Sequence, residues 1–185
     1  MEERFPWLII DKYFNDNPKA LVAHHLDSYN SFFKDGLKRI LKEKNPIRIM
    51  KEQNTTTNEF GLICDMYMGG KDGDKIYYGK PIIYDEDREH FMYPNEARLR
   101  NMTYGIAIHY DVEVEFSMKN EETQETEFHS TVLEKIFLGR FPIMIQSDLC
   151  ILNGLDRNVR FYMGECKNDK GGYFIIDGKE KCIVC

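Results

Sequence analysis

Asp72 and Asp74 flank a single glycine, the D-x-D spacing in which two carboxylates can share a divalent cation. Magnesium needs oxygen ligands that converge on one point, usually completed by substrate phosphates. Here the pair lies in Met68–Asp74, a run of Gly, Lys and Asp with the chemistry of a turn, so a solvated hairpin tip is expected. Asp85, Glu86 and Asp87 read the same way. Cys182 and Cys185 have the spacing of half a zinc site, with Cys166 upstream. A structural zinc site takes four ligands in two close pairs. Cys150 and Cys166 are too far apart in sequence to form the second pair, and no cofactor or metal is expected on this chain. His24, His25, His90, His109 and His129 fall in no HExxH or nucleophile-elbow pattern. Gly69-Gly70 and Gly171-Gly172 lack both the lysine–hydroxyl pair of a phosphate loop and dinucleotide-site spacing. No catalytic residue is expected. The remaining chemistry is basic. Arg98 and Arg100 lie in Pro94–Asn101, and Arg140 near a strand end. A guanidinium can grip a phosphate or form a buried ion pair, and with Glu96 nearby both readings stand.

The elements that position these residues follow from hydrophobic spacing. Trp7, Leu8, Ile9, Ile10, Tyr13 and Phe14 give a first helix, with Pro6 in its opening turn, broken at Asn15–Pro18. Steps of three and four through Leu21, Val22, His25, Leu26, Tyr29, Phe32, Phe33, Leu37, Ile40 and Leu41 predict one longer helix, ended by Asn45-Pro46. Strand signals begin at Ile47. Ile47–Lys51, Phe60–Tyr67, a return strand Lys75–Tyr84, Thr103–Met118, Thr131–Leu138 and Phe141–Ile145 are expected strands, and Pro94–Arg100 one helical turn. Lys119–Glu127 is an acidic hairpin loop, and Asn153–Gly164 reads as irregular. Tyr173–Ile176 and Lys179–Val184 form a hairpin about Asp177-Gly178, whose turn residues must both tolerate positive φ. The fold class is α+β, with N-terminal helices packed on mainly antiparallel strands. A helical segment 1–46 and a β-rich part 47–185 are expected to form one domain.

The chain has 185 residues, enough for one domain with a proper core. It is 42% hydrophobic, 30% charged and 13% aromatic, which excludes a disordered chain. The net charge of −6 argues against strong autonomous DNA binding, though a local basic face is compatible with it. Five cysteines with a charged N-terminus indicate reduced thiols in an intracellular setting. No apolar run approaches the roughly 18 residues of a membrane span. The last strand runs almost to Cys185, where a polar linker would be usual, so the chain is expected to belong to or dock onto something larger.

Four separated segments carry a resemblance. Leu21–Phe32 has a leucine-aspartate-serine-aromatic-asparagine core. Tyr93–Tyr104 reads P-x-E-A-R-L-R-N-x-T-Y, and Leu138–Ser147 contains G-R-x-P-I-M-x-x-S. Glu165–Lys181 reads E-C-x-x-D-x-G-G-Y-F-I-I-x-G-x-E-K. Together, and in this order, they resemble the N-terminal (protrusion) region of the second-largest subunit of eukaryotic-type or viral multisubunit DNA-directed RNA polymerase. The resemblance implies part of a protrusion domain, a wall over the active-centre cleft that guides DNA and the RNA–DNA hybrid during transcription. It also implies that this chain has no catalytic residues of its own in a nucleotidyltransferase whose magnesium is held by another subunit. The implied partners are the other polymerase subunits, the remainder of the second-largest subunit, DNA and the hybrid, with no membrane. The implied location is the nucleus, or a cytoplasmic viral factory or virion. Arg98, Arg100 and Arg140 become candidates for phosphate contacts on the cleft side or for pinning strands together. The rival from another class is a stand-alone interaction protein with a polymerase-derived fold.

Overall fold

A computed structural model of the chain describes residues 4–53, 60–85, 88–119 and 125–184. In chain order the elements are α1 (Arg4–Asp16), α2 (Ala23–Ser31), a π-helical turn (Phe32–Gly36), α3 (Leu37–Lys44), β1 (Ile47–Gln53), β2 (Phe60–Met68), β3 (Ile76–Tyr78), β4 (Ile82–Asp85), β5 (Arg88–Phe91), α4 (Pro94–Leu99), β6 (Gly105–Lys119), β7 (Thr126–Pro142), α5 (Arg157–Tyr162), β8 (Phe174–Ile176) and β9 (Lys179–Lys181). The strand pairs are antiparallel at every register described, so the fold is α+β. The chain gathers into two compact units. One takes residues 1–31, 81–105 and 142–185, the other 32–80 and 106–141.

In the second unit β6 is the hub. β2 runs along Val112–Met118, β3 along Ile108–Tyr110, β7 also pairs with β6, and β1 extends the sheet beyond β2. The expected return strand 75–84 does not form as one piece beside β2. Gly79 donates its N–H to the Ala107 carbonyl at 2.8 Å, and Pro81 has no N–H for a ladder. β3 therefore ends at Tyr78, pairing with β6, while β4 starts again at Ile82 and pairs with β5 in the other unit. The two strands expected over 131–145 are one, β7, which ends at Pro142. Its Lys135 has φ +53°, a bulge geometry, and donates its N–H to Asp111 Oδ1 at 2.9 Å. That bond, with a second from the Tyr77 hydroxyl at 2.9 Å, holds the Asp111 carboxyl below the usual carboxylate range despite desolvation. The hairpin loop expected over 119–127 lies largely outside the described residues, as do Glu86 and Asp87.

The long second helix is also divided. A π turn inserts an extra residue per turn, so the apolar stripe does not run unbroken from Leu21 to Leu41. Leu26, Phe33, Leu37 and Leu41 are buried, whereas Leu21, Phe32 and Ile40 are exposed. α3 stops where expected. Asn45 then donates Nδ2 to the carbonyls of Met68 and Gly70 at 2.9 and 3.0 Å and accepts the Met68 N–H at 2.9 Å.

The first unit joins three stretches distant in sequence. Leu26, Met144 and Phe174 form a core cluster, with Val22, Tyr29 and Ile176 packed against it. The Tyr29 hydroxyl donates to the Pro142 carbonyl at 2.8 Å, and burial raises its pKa. Tyr104 is fully buried; its N–H donates to Ile175 O at 3.0 Å, its carbonyl accepts from Ile143 N at 2.9 Å and its hydroxyl from Ile151 N at 3.2 Å. Ile145 donates to Tyr173 O at 2.8 Å, and Gly172 donates back to Ile145 O at 3.0 Å. The β8–β9 hairpin turns on Asp177 and Gly178, with φ of +51° and +72°, the two positive values a two-residue turn requires. The 153–164 stretch contains the short helix α5, capped by Asp156, which accepts the Asn158 N–H at 2.9 Å. α1 forms as expected, and Trp7, Leu8, Ile9, Ile10, Tyr13 and Phe14 are exposed along it.

Gly171 has φ +75°, and a Cβ there would run into the Ile145 carbonyl oxygen. Neither that backbone nor the Gln146 side chain beside it can retreat without breaking the bonds that link the stretches. Gly171→Ala is expected to lower the unfolding free energy by about 3 kcal/mol or more in urea titration. A loss below about 1 kcal/mol would show that the junction can relax.

Candidate nucleic-acid interface

α4 presents Arg98 and Arg100 because Pro94 starts the helix at its first position and Ala97, fully buried, seats one face inward. The Arg98 guanidinium is bonded through all three of its nitrogens. Nη1 donates to both Glu165 oxygens at 2.9 and 3.0 Å, Nε to Glu180 Oε1 at 2.9 Å, and Nη2 to the Tyr173 hydroxyl at 2.6 Å. Tyr173 in turn donates to Asp169 Oδ2 at 2.6 Å, while Gly171 N donates to Asp169 Oδ1 at 2.8 Å. Burial alone would lower the Arg98 pKa; Glu165, Tyr173 and Glu180 together outweigh it and move it up. Burial, and then the bond to Asp169, push the Tyr173 phenol up. Glu165 is only 4% exposed, so this guanidinium is what makes a buried carboxylate tolerable.

Arg100 forms a second network on the surface. Nη2 and Nη1 reach Asp85 at 2.7 and 3.1 Å, and Nη1 also reaches Glu96 Oε1 at 3.1 Å. The same Glu96 oxygen lies 3.1 Å from His90 Nε2. Hydrogen bonding from Arg100 holds the Asp85 carboxyl below its usual range. For Glu96, desolvation pushes up, but His90 and Arg100 together pull the carboxyl down. A surface cleft of about 600 Å³ opens beside this network, lined by Tyr93, Asn95, Glu96, Leu99, Arg100 and Met163.

Arg140 lies in β7, in the other unit. It is exposed and has no ion-pair partner among the described residues. The candidate arginines thus divide into two already bonded to carboxylates and one whose charge faces solvent.

The metal-ligand candidates do not gather. Asp72 faces Lys42 at 3.5 Å on an exposed turn. Cys182 Sγ lies 4.0 Å from His25 Nε2, and Cys185 is outside the described residues. Among the described residues no three His, Cys, Asp or Glu side chains converge on a point that could hold an ion. A different cationic group was missed in the sequence. Arg157, Arg160, Lys167 and Lys170 lie within one stretch beside Phe161 and Tyr162. The dense basic spacing was the available signal, obscured because the segment reads as irregular.

Residues 20–185 match the family model described as RNA polymerase beta subunit. The chain belongs to this family. It is 33% identical to DNA-directed RNA polymerase II subunit RPB2 of Eremothecium gossypii, over 96% of this chain and 15% of that protein. It is 35% identical to DNA-directed RNA polymerase subunit Rpo2N of Methanothermobacter thermautotrophicus, over 96% of this chain and 30% of that protein. It is 32% identical to DNA-directed RNA polymerase II subunit 2 of Arabidopsis thaliana, again over 96% of this chain and 15% of the relative. The chain corresponds to the N-terminal region of the second-largest polymerase subunit and spans a minor part of the length of these relatives. All four motif segments contribute to the first unit: Leu26 and Tyr29 of the first, α4 with Arg98, the stretch through Met144, and the Glu165–Lys181 segment that supplies the carboxylates and the hairpin. Arg98 acts here as an internal tie.

Arg98→Met should destabilise the folded state by about 3–5 kcal/mol, because Glu165 is left buried and unpaired. Pairing it with Glu165→Gln should restore a substantial part, read as a coupling energy in urea titrations of the single and double variants. A change below about 1 kcal/mol for the single variant would mean that Arg98 does not hold the segments together.

Proposed function

We propose that this chain is a wall-forming part of a multisubunit DNA-directed RNA polymerase. It works in transcription by guiding DNA and the RNA–DNA hybrid along the cleft, and is not catalytic alone. The observation that carries the reading is the junction of the motif segments around Arg98 and Tyr104. Groups that react with or bind substrate usually keep polar atoms open to it. Here the side chains at the centre of the motifs are bonded to one another, as a rigid scaffold requires. Magnesium and nucleotide chemistry belong to another subunit in this reading. The partners are the remaining polymerase subunits, the rest of the second-largest subunit, and nucleic acid within the complex. The setting is intracellular: the nucleus, or a cytoplasmic viral factory or virion.

Among the sequence candidates Arg140 is the phosphate contact in this reading, supported by its exposure and by a charge not spent on a carboxylate among the described residues. Arg100 would first have to leave Asp85 and Glu96. Arg98 supports the surface from within.

Two measurements test this. Isolated with its native companions, the chain is expected to be recovered with a largest polymerase subunit, and alone to incorporate no nucleotide. Recovery without any polymerase subunit would favour the stand-alone interaction protein. In the assembled enzyme, Arg140→Glu should weaken DNA binding about equally across sequences and reduce the salt slope by about 1. An unchanged slope would remove Arg140 from the interface.

A further inference from the structure

The strongest unassigned feature is a basic and aromatic ledge over residues 157–170. Its arginines differ from Arg98 and Arg100 in the atoms they bond. Arg157 donates Nε to the Lys167 carbonyl at 2.7 Å and Nη2 to the Asn168 side-chain oxygen. Arg160 donates Nη1 to the Asp169 carbonyl at 3.4 Å. These acceptors are neutral, so they orient the guanidinium groups without cancelling their charge. Lys167 and Lys170 are exposed, and the Lys167 ammonium lies 4.5 Å from the centre of the Phe161 ring. On the N-terminal side Lys19 donates to the Gln146 carbonyl at 3.3 Å, again a neutral acceptor, and Gln146 bonds the Asp169 carbonyl.

The carboxylates of this stretch are turned to internal work. Asp156 caps α5. Asp169 accepts from Tyr173 and Gly171. Glu165 is held by Arg98, and Asp148 accepts from Asn153. Only Glu165 is neutralised, by Arg98; over residues 157–170 that leaves Arg157, Arg160, Lys167 and Lys170 against Asp169, a local positive excess in a chain of net charge −6.

The aromatic side chains point to the kind of ligand. Tyr162 is 87% exposed and Phe161 48%, on the short helix that carries Arg157 and Arg160. The phenol ring of Tyr162 contributes little to the core and is open to solvent, 6.2 Å from the Phe161 ring that carries the Lys167 ammonium. Positive charge that tracks a phosphate backbone, together with exposed rings on which bases stack, is the surface chemistry of single-strand nucleic-acid binding. A duplex would use the charges but not the rings, and an acidic peptide likewise.

We propose that Arg157, Lys167 and Lys170, with Tyr162 as a stacking platform, form a binding surface for single-stranded nucleic acid. The ledge adds contact residues to the cleft-wall reading and rests on that reading for its place in a polymerase; binding by the chain alone tests the ledge, and recovery with a largest subunit tests the reading.

The experiment is fluorescence anisotropy of a labelled oligothymidylate of about 15 nucleotides with the 185-residue chain at several salt concentrations. Lys167→Gln with Lys170→Gln should weaken binding and lower the salt slope by about 1.4, the sum for two single-strand phosphate contacts. Tyr162→Ala should weaken it about fivefold or more, while Tyr162→Phe keeps the affinity. All these positions are exposed, and circular dichroism checks that each variant is folded. Inorganic polyphosphate, which has charge but no bases, should compete poorly. No binding by the wild-type chain, equal affinity of the folded variants, or equally good competition by polyphosphate or polyglutamate would each overturn the proposal.

Discussion

Arg98 must satisfy a buried carboxylate, and much of the first unit is arranged around that requirement. Glu165 is removed from water, and an unpaired carboxylate there would be severely destabilising. The guanidinium that neutralises it leaves α4, 67 residues earlier in the chain, and its other donors reach Glu180 and Tyr173. Once these bonds form, α4, the 165–173 loop and the β8–β9 hairpin have little freedom to move independently. Tyr173 extends the cluster to Asp169, which fixes the Gly171 amide and so the tight path into β8.

The apolar part of the unit reinforces the same junction. Tyr104 lies five residues beyond the end of the Arg98 helix and is bonded through its backbone to both Ile143 and Ile175. Met144 and Phe174 form an antiparallel bridge and meet Leu26 in the core. Hydrophobic burial supplies most of the driving force, while the ion cluster and the glycines determine which segments meet. Such a body gives surface residues a steady base. Lys167 and Arg157 lie on the loop and helix that this body supports.

Much of this was legible in the residues. Asp177-Gly178 specifies its hairpin through two positive φ values, a local rule that needs no tertiary information. Pro94 and Asn45-Pro46 mark a helix start and a helix end for equally local reasons. Where the reading departed, the deciding contact lay far away. β3 joins β6 instead of β2, through partners some 30 residues downstream. The π turn at Phe32–Gly36 leaves no trace in a pattern of threes and fours. For Arg98, Glu96 suggested an internal pair, and the structure gives Arg98 to Glu165, distant in sequence, while Glu96 serves Arg100. The 157–170 ledge escaped because a six-residue helix is too short to show a period, and because the chain's net negative charge obscured its sign.

The bonds around Arg98 and Tyr104 should make the motif segments of the first unit one cooperative body. Native-state hydrogen exchange measures this directly, amide by amide. The amides of Tyr104, Ile143, Ile145 and Gly178 each bond across segments, to Ile175, Tyr104, Tyr173 and Met102. The account predicts that all four exchange with similar opening free energies and lose protection together as urea is added. If Gly178 and Ile145 exchanged through a separate opening of much lower free energy while Tyr104 and Ile143 stayed protected, the segments would be independent and the account would be wrong.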